Sequence, residues 1–145
     1  MNYWLMKSEP ESFSIDDLKN RPNQTEHWDG VRNYQARNMM RDEMKLGDQV
    51  FFYHSNCAEP GIVGIMEVIR EGYPDFLAFD PKSNPEKPTW MMVDVKYVRT
   101  LSRTITLTEL KQKQELSDLA LVRRGNRLSI MPVSKQQWDF ILSQE

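Results

Sequence analysis

The chain has 145 residues, 39% hydrophobic and 28% charged, a balance that excludes intrinsic disorder and suits one domain over residues 1–145 with one core. No apolar run reaches the roughly 20 residues of a membrane helix, the stretch Met1–Pro10 lacks the basic start and apolar body of a signal peptide, and the single Cys57 excludes intrachain disulfides and cysteine-rich zinc sites. These features predict a cytoplasmic protein with no membrane partner and, by preference, a monomer; the formal net charge of −2 argues against indiscriminate phosphate binding.

Tyr3 to Lys7 reads as an opening strand, ended by Ser8-Glu9-Pro10 because the residue before a proline is pushed extended. Ser14 can cap a short helix whose first turn carries Asp16 and Asp17, and Pro22 stops it. From Asn33 to Lys45 the spacing of Ala36, Met39, Met40 and Met44 predicts a second helix, closed by Gly47. Val50 to Tyr53 and Ile62 to Ile69 are continuous apolar strands on either side of the Glu59-Pro60-Gly61 turn. Residues 71–89 hold four of the eight prolines and read as the longest loop. Met91 to Tyr97 alternates as a half-buried strand. Thr106 and Glu109 form a capping box before a helix through about Leu116, Leu128 to Met131 is a last strand, and Ser134 with Gln137 caps the final helix. Strands follow one another without regular crossovers, so the expectation is an α+β fold: a small, mostly antiparallel barrel or curled sheet with peripheral helices.

The run from Trp28 to Asn38 concentrates an aromatic ring, a glycine turn, an amide and two arginines where a loop feeds a helix. That combination suits a flat, polar ligand on a charged backbone, above all a nucleotide base. An extruded base needs a stacking face, polar groups for its edge and cations for its phosphates. Trp28 is the candidate stacking face, since its polar neighbours Glu26, His27 and Asp29 argue against a buried strand. Asn33 can donate and accept at a base edge, or serve as an N-cap. Lys7 and Ser8 end the first strand and face either a pocket or a turn closed by Pro10. Tyr53-His54-Ser55-Asn56 leaves a buried strand and turns polar, as a ligand-bearing rim does, although on sequence alone His54 is better read as satisfying a buried carbonyl.

For the backbone, Arg32 and Arg37 flank the base candidates, while Arg124 and Arg127, beside Arg123, form a charge cluster that is either solvated or phosphate-binding. Residues 96–127 carry eight cations against three carboxylates, and residues 1–31 three against six, a polarity that can hold a phosphate backbone locally. Met131 is a further candidate for contact with a methyl group. Enzyme chemistry has little to stand on. Cys57 and His54 lie three apart without an orienting third group, two histidines are few for a metal, and Gly61 and Gly64 make no phosphate loop. The expectation is a non-catalytic module with no metal and no cofactor.

Several blocks resemble the EVE domain: Tyr3 through Pro10, Trp28 through Arg37, Gly47-Asp48 through Asn56, Gly61 through Gly64, Tyr73-Pro74-Asp75, Trp90 through Val95, and Arg127 through Val133. The resemblance covers nearly the whole chain. It implies a PUA-like β-barrel related to the YTH readers of methylated adenine, with a pocket for a modified base in which Val31 belongs to the same motif as Trp28 and Asn33. The leading ligand it implies is 5-methyl- or 5-hydroxymethylcytosine in DNA. The stretch Phe79–Ser83 is shorter than the family pattern. Two other readings stay open: a module for modified tRNA or rRNA, and a small-molecule binder or hydrolase using the same cleft.

Overall fold

The computed structural model describes residues 1–75 and 90–145. Six strands form one mixed, mostly antiparallel sheet: β1 (Tyr3–Ser8), β2 (Thr25–Trp28), β3 (Gln49–His54), β4 (Gly61–Pro74), β5 (Met91–Thr106) and β6 (Ile130–Val133), in the spatial order β2-β5-β4-β3-β1-β6. The pair β1–β3 is parallel and the other four pairs are antiparallel. Among the described residues the hydrogen-bonded pairing runs linearly from β2 to β6.

Both faces of this sheet are covered, which explains why its central strands read as unbroken apolar runs. Alternation along β1 sends Trp4 and Met6 to one cluster and Leu5 to the other; along β3 it sends Val50 and Phe52 one way and Phe51 and Tyr53 the other. The first cluster is closed by α1 (Ile15–Lys19) through Ile15 and Leu18, and by α2 (Tyr34–Asn38) and the turn after it through Ala36, Met39, Met40 and Met44. The second is closed by α3 (Leu107–Lys111) and α4 (Lys135–Ser143), with Leu110, Trp138 and Ile141. Trp138 stacks on Phe51 with ring centroids 3.8 Å apart. Gly64 lets α1 approach the sheet: a Cβ there would stand 2.8 Å from Ile15 Cδ1 and 2.9 Å from the Arg99 carbonyl.

The caps are those expected. The side chains of Ser14, Thr106 and Ser134 each accept the N3 amide, and their own amides donate in return to the side chains of Asp17, Glu109 and Gln137. Several boundaries differ. The helix predicted over 33–45 is α-helical only through Asn38; Met39–Glu43 is a wider π turn, with the Met44 amide donating to the Met39 carbonyl at 2.9 Å. That turn gathers Met39, Met40 and Met44 against one core. Helix α3 ends at Lys111, and Gln114–Leu116 is a separate 3₁₀ turn. The last strand begins at Ile130 rather than Leu128. Strands β4 and β5 run on to Pro74 and Thr106 because register shifts between them break the alternation that sequence reading follows. Of the loop predicted over 71–89, residues 71–74 belong to β4; residues 76–89, with the stretch Phe79–Ser83, lie outside the described residues.

Glu109 ties three elements together. Its carboxylate accepts from the Thr106 amide at 2.9 Å and from both terminal nitrogens of Arg103 at 2.9 and 2.6 Å, and Arg103 also donates to the Gln144 carbonyl at 2.5 Å, after α4. The Arg103 hydrogen bonds are the largest of the causes that hold the Glu109 carboxyl down at about 2. A folded-state value below the unfolded one means the stabilisation is complete above the usual carboxylate range and fades as pH falls toward about 2. Glu109→Gln is therefore expected to cost about 0.5–1 kcal/mol at neutral pH, a difference from wild type that narrows between pH 4.5 and pH 2.5. Urea unfolding of both proteins across that range checks it.

Candidate functional site

Among the described residues, strand β2 sits at the sheet edge, paired only with β5, and brings Trp28 opposite Val93. An edge strand tolerates Glu26 and His27 half-exposed while its last residue turns inward. Trp28 is accordingly 8% exposed and packs edge-on against Phe52 and Phe13 at centroid distances of 5.4 and 6.2 Å. This corrects the expectation that polar neighbours exclude a buried strand. Trp28 is also a wall. With Lys7, Ser8, Ser12, Phe13, Arg21, Glu26, His27 and Asp29 it lines an open cavity of about 420 Å³.

The loop after Trp28 is held from behind. Gly30 adopts φ +78°, a left-handed conformation that glycine takes without strain. Its amide donates to Asp75 Oδ2 at 3.1 Å, and Arg32 donates to the same oxygen at 3.2 Å and to the Val31 carbonyl at 2.9 Å. The Asp75 side chain is fully buried, so Arg32 is half of a structural ion pair. Arg32 also lies 5.4 Å from the Trp90 ring, Trp90 stacks on Tyr34 at 5.1 Å, and Arg37 lies 5.2 Å from Tyr34.

On the cavity's other side, Glu26 accepts from Arg21 Nε at 2.8 Å and from the His27 amide at 2.9 Å. The His27 ring meets Asp94 Oδ1 at 3.1 Å and the Tyr73 hydroxyl at 2.9 Å, and that hydroxyl donates in turn to Asp94. Burial, then the Asp94 hydrogen bond, pushes the Tyr73 phenol well above its ordinary value, so it stays a donor. Ser8 Oγ donates to the Phe13 carbonyl at 2.6 Å and fixes the lip over β1.

A second cleft of about 440 Å³ shares Lys7 with the first and is lined by Tyr53, Leu107, Lys111, Leu121, Val122, Arg123, Arg124, Gly125 and Asn126. Among the described residues it gathers four cations and no carboxylate. Asn126 Nδ2 is buried there with no hydrogen-bond partner among the described residues. Lys7 stands 5.8 Å from the Tyr53 ring, and burial lowers its pKa; burial pushes the Tyr53 phenol up to about 12.

The cavity thus unites Lys7, Ser8 and Trp28 of the predicted pocket and leaves the rest outside its lining. Val31 packs in the first cluster. Asn33 takes the capping role, accepting the Ala36 amide at 2.9 Å. Tyr53 faces the second cleft. His54 Nε2 accepts the Ile15 amide at 3.1 Å, which requires a neutral ring, and burial lowers its pKa accordingly; the partner is an amide rather than the expected carbonyl. Ser55 and Asn56 brace the lip, the Ser55 amide donating to the Ser8 carbonyl at 2.9 Å and Asn56 Nδ2 to Glu9 at 3.2 Å. Arg124 lines the second cleft, Arg127 is exposed and lines neither, and Met131 lies in the second cluster, away from Trp28. Sequence reading missed Ser12, Phe13, Arg21, Glu26, His27 and Asp29 as lining residues because they come from three short segments that no single periodicity links.

The EVE domain profile matches residues 2–144. Human thymocyte nuclear protein 1 is 49% identical over 99% of this chain and 74% of its own length. Among solved structures, human THYN1 protein in complex with 5-methylcytosine-containing DNA superposes with a TM-score of 0.92 at 48% identity, covering 99% of this chain and 97% of that one. A Pseudomonas syringae protein gives 0.91 at 47% identity, covering 98% of each. The YTH domain of a Zygosaccharomyces rouxii protein, solved with N6-methyladenosine RNA, gives 0.58 at 13% identity over 99% of this chain and 85% of that one, a likeness of fold alone.

Proposed function

Because this chain belongs to the EVE domain family, we propose that it binds nucleic acid carrying a modified base, with 5-methyl- or 5-hydroxymethylcytosine in DNA foremost, and does so without chemistry of its own. The observation that carries this reading is the open cavity of about 420 Å³ walled by Trp28, a size and composition suited to one extruded base. The complex of the human relative with 5-methylcytosine-containing DNA supports the choice of ligand.

Extrusion costs a few kcal/mol of unstacking and unpairing, and stacking on an aromatic side chain returns about 1–3 kcal/mol per base. The remainder comes from the phosphates. The cationic cleft that shares Lys7 with the cavity supplies them, with Lys111, Arg123 and Arg124 around an apolar floor. On a chain of net charge −2 this local patch gives weak general affinity, so selectivity rests on the base.

Titration of the intrinsic tryptophan fluorescence with matched oligonucleotides tests the reading. The set contains cytosine, 5-methylcytosine, 5-hydroxymethylcytosine and N6-methyladenine, each in DNA and RNA, at low and moderate salt. The expected result is quenching by 5-substituted cytosine in DNA with affinity about 10-fold above unmodified cytosine, in line with discrimination of a methyl-sized group. Binding that ignores modification and vanishes with salt overturns it. Preference for a modified RNA moves the substrate class to RNA.

A further inference from the structure

A wall that accepts a 5-methyl group cannot by itself tell 5-methylcytosine from thymine, because both carry that methyl. The two bases differ at position 4, an amine in one and a carbonyl in the other, and at position 3, a bare acceptor nitrogen in one and an N–H in the other. A hydrogen-bond acceptor set against position 4 separates them, and a carboxylate is a side chain that accepts from the cytosine amine.

The cavity holds two carboxylates in different states. Glu26 is committed through both oxygens, to Arg21 and to the His27 amide. Asp29 lines the same cavity and has no hydrogen bond or ion pair among the described residues. Of the other groups nearby, His27 is engaged with Asp94 and Tyr73 and the Ser8 hydroxyl with the Phe13 carbonyl; the Ser12 hydroxyl both donates and accepts and the Lys7 ammonium only donates, so neither selects an amine over a carbonyl. The Asp29 backbone is held between buried Trp28 and the Gly30 amide anchored on Asp75, and its side chain is exposed. An uncommitted anionic acceptor on a backbone anchored beside the aromatic wall is what reading an exocyclic amine requires.

We infer that Asp29 is the residue that admits 4-amino pyrimidines and rejects 4-oxo pyrimidines, an assignment that rests on the base-binding reading of the cavity. A 4-amino base donates one N–H to the carboxylate. Thymine or uracil sets a carbonyl oxygen against it instead, two acceptors face to face, and leaves the carboxylate desolvated without a donor.

The test uses single-stranded oligonucleotides with purine flanks and one central 5-methylcytosine, cytosine or thymine, so that no pairing cost differs between ligands. Wild type is expected to favour 5-methylcytosine over thymine at least 10-fold. In Asp29→Asn, whose amide can turn its N–H toward O4, the ratio is expected to fall to about threefold. In Asp29→Ala, 5-methylcytosine binding weakens about 10-fold without a matching gain for thymine. Either variant removes a negative charge near phosphate, so the ratio, not the affinity, is the readout, with circular dichroism as the control for folding. Folded variants that keep the wild-type ratio overturn the role of Asp29 and leave the cavity reading intact. Equal wild-type affinity for 5-methylcytosine and thymine does the same. Wild type that fails to separate 5-methylcytosine from cytosine removes the cavity reading, and the Asp29 assignment with it.

Discussion

Asp48→Ala is expected to lower the folding stability by about 3 kcal/mol, the scale of stripping a shared acceptor from buried donors. The carboxylate is 2% exposed and takes three N–H groups: Asn2 N at 3.0 Å, Trp4 Nε1 at 2.9 Å and Lys45 N at 2.9 Å. Its backbone is engaged as well, accepting from the Val68 amide at 3.0 Å and donating to the Lys45 carbonyl at 3.0 Å. One residue therefore joins the start of β1, the turn before β3 and the partner strand β4. Alanine would leave the indole N–H of Trp4, itself 3% exposed, without an acceptor in an apolar cluster. Asp48→Asn retains one oxygen and is expected to lose about half as much. Denaturant unfolding reads both values. A loss under about 0.5 kcal/mol for alanine, the range of an ordinary surface substitution, would show that water replaces the carboxylate cheaply. Binding by the folded fraction should not change, since Asp48 lies at the opposite end of β1 from Lys7 and Ser8.

The parts of the fold that were legible in the sequence are those with a local cause. Three capping residues, the apolar runs of β3 and β4 and the stripe of α4 depend on side chains near in sequence, and each appears where expected. What was not legible depends on partners far along the chain. Thr25–Trp28 reads as polar loop until β5 is there to pair with it. The π turn at Met39–Glu43 follows from the demand of three methionines for one core, a demand that helical periodicity meets almost as well. The same divide runs through the site. Trp28 and Ser8 could be named because an aromatic before a glycine turn, and a polar residue at a strand end, are local signals. Asn33 sat between two local signals, and the capping geometry took it. Glu26 and Asp29 differ only in what stands opposite them, which is why the distinction between a committed and an uncommitted carboxylate emerges from the structure alone.

Trp28 carries the second large effect, and its double duty decides which substitution is informative. Trp28→Ala is expected to cost about 3–5 kcal/mol of stability, as removal of a buried tryptophan does, because the ring fills space between Phe13 and Phe52. Lost binding in that variant would therefore report unfolding as readily as a lost stacking face. Trp28→Phe keeps an aromatic ring against both neighbours and is expected to cost about 1–2 kcal/mol. If the indole is the platform for an extruded base, Trp28→Phe should weaken binding of 5-methylcytosine DNA by roughly 5-fold, within the span of base stacking. The slope of log affinity against log salt should stay as in wild type, because stacking releases no counterions. A folded Trp28→Phe protein with undiminished affinity would make Trp28 a core residue that only borders the cavity. A weakened one with a shallower salt slope would mean instead that the substitution had displaced a phosphate contact. Unchanged slope with reduced affinity is the signature of a stacking wall, and denaturation run beside the titration separates it from loss of the fold.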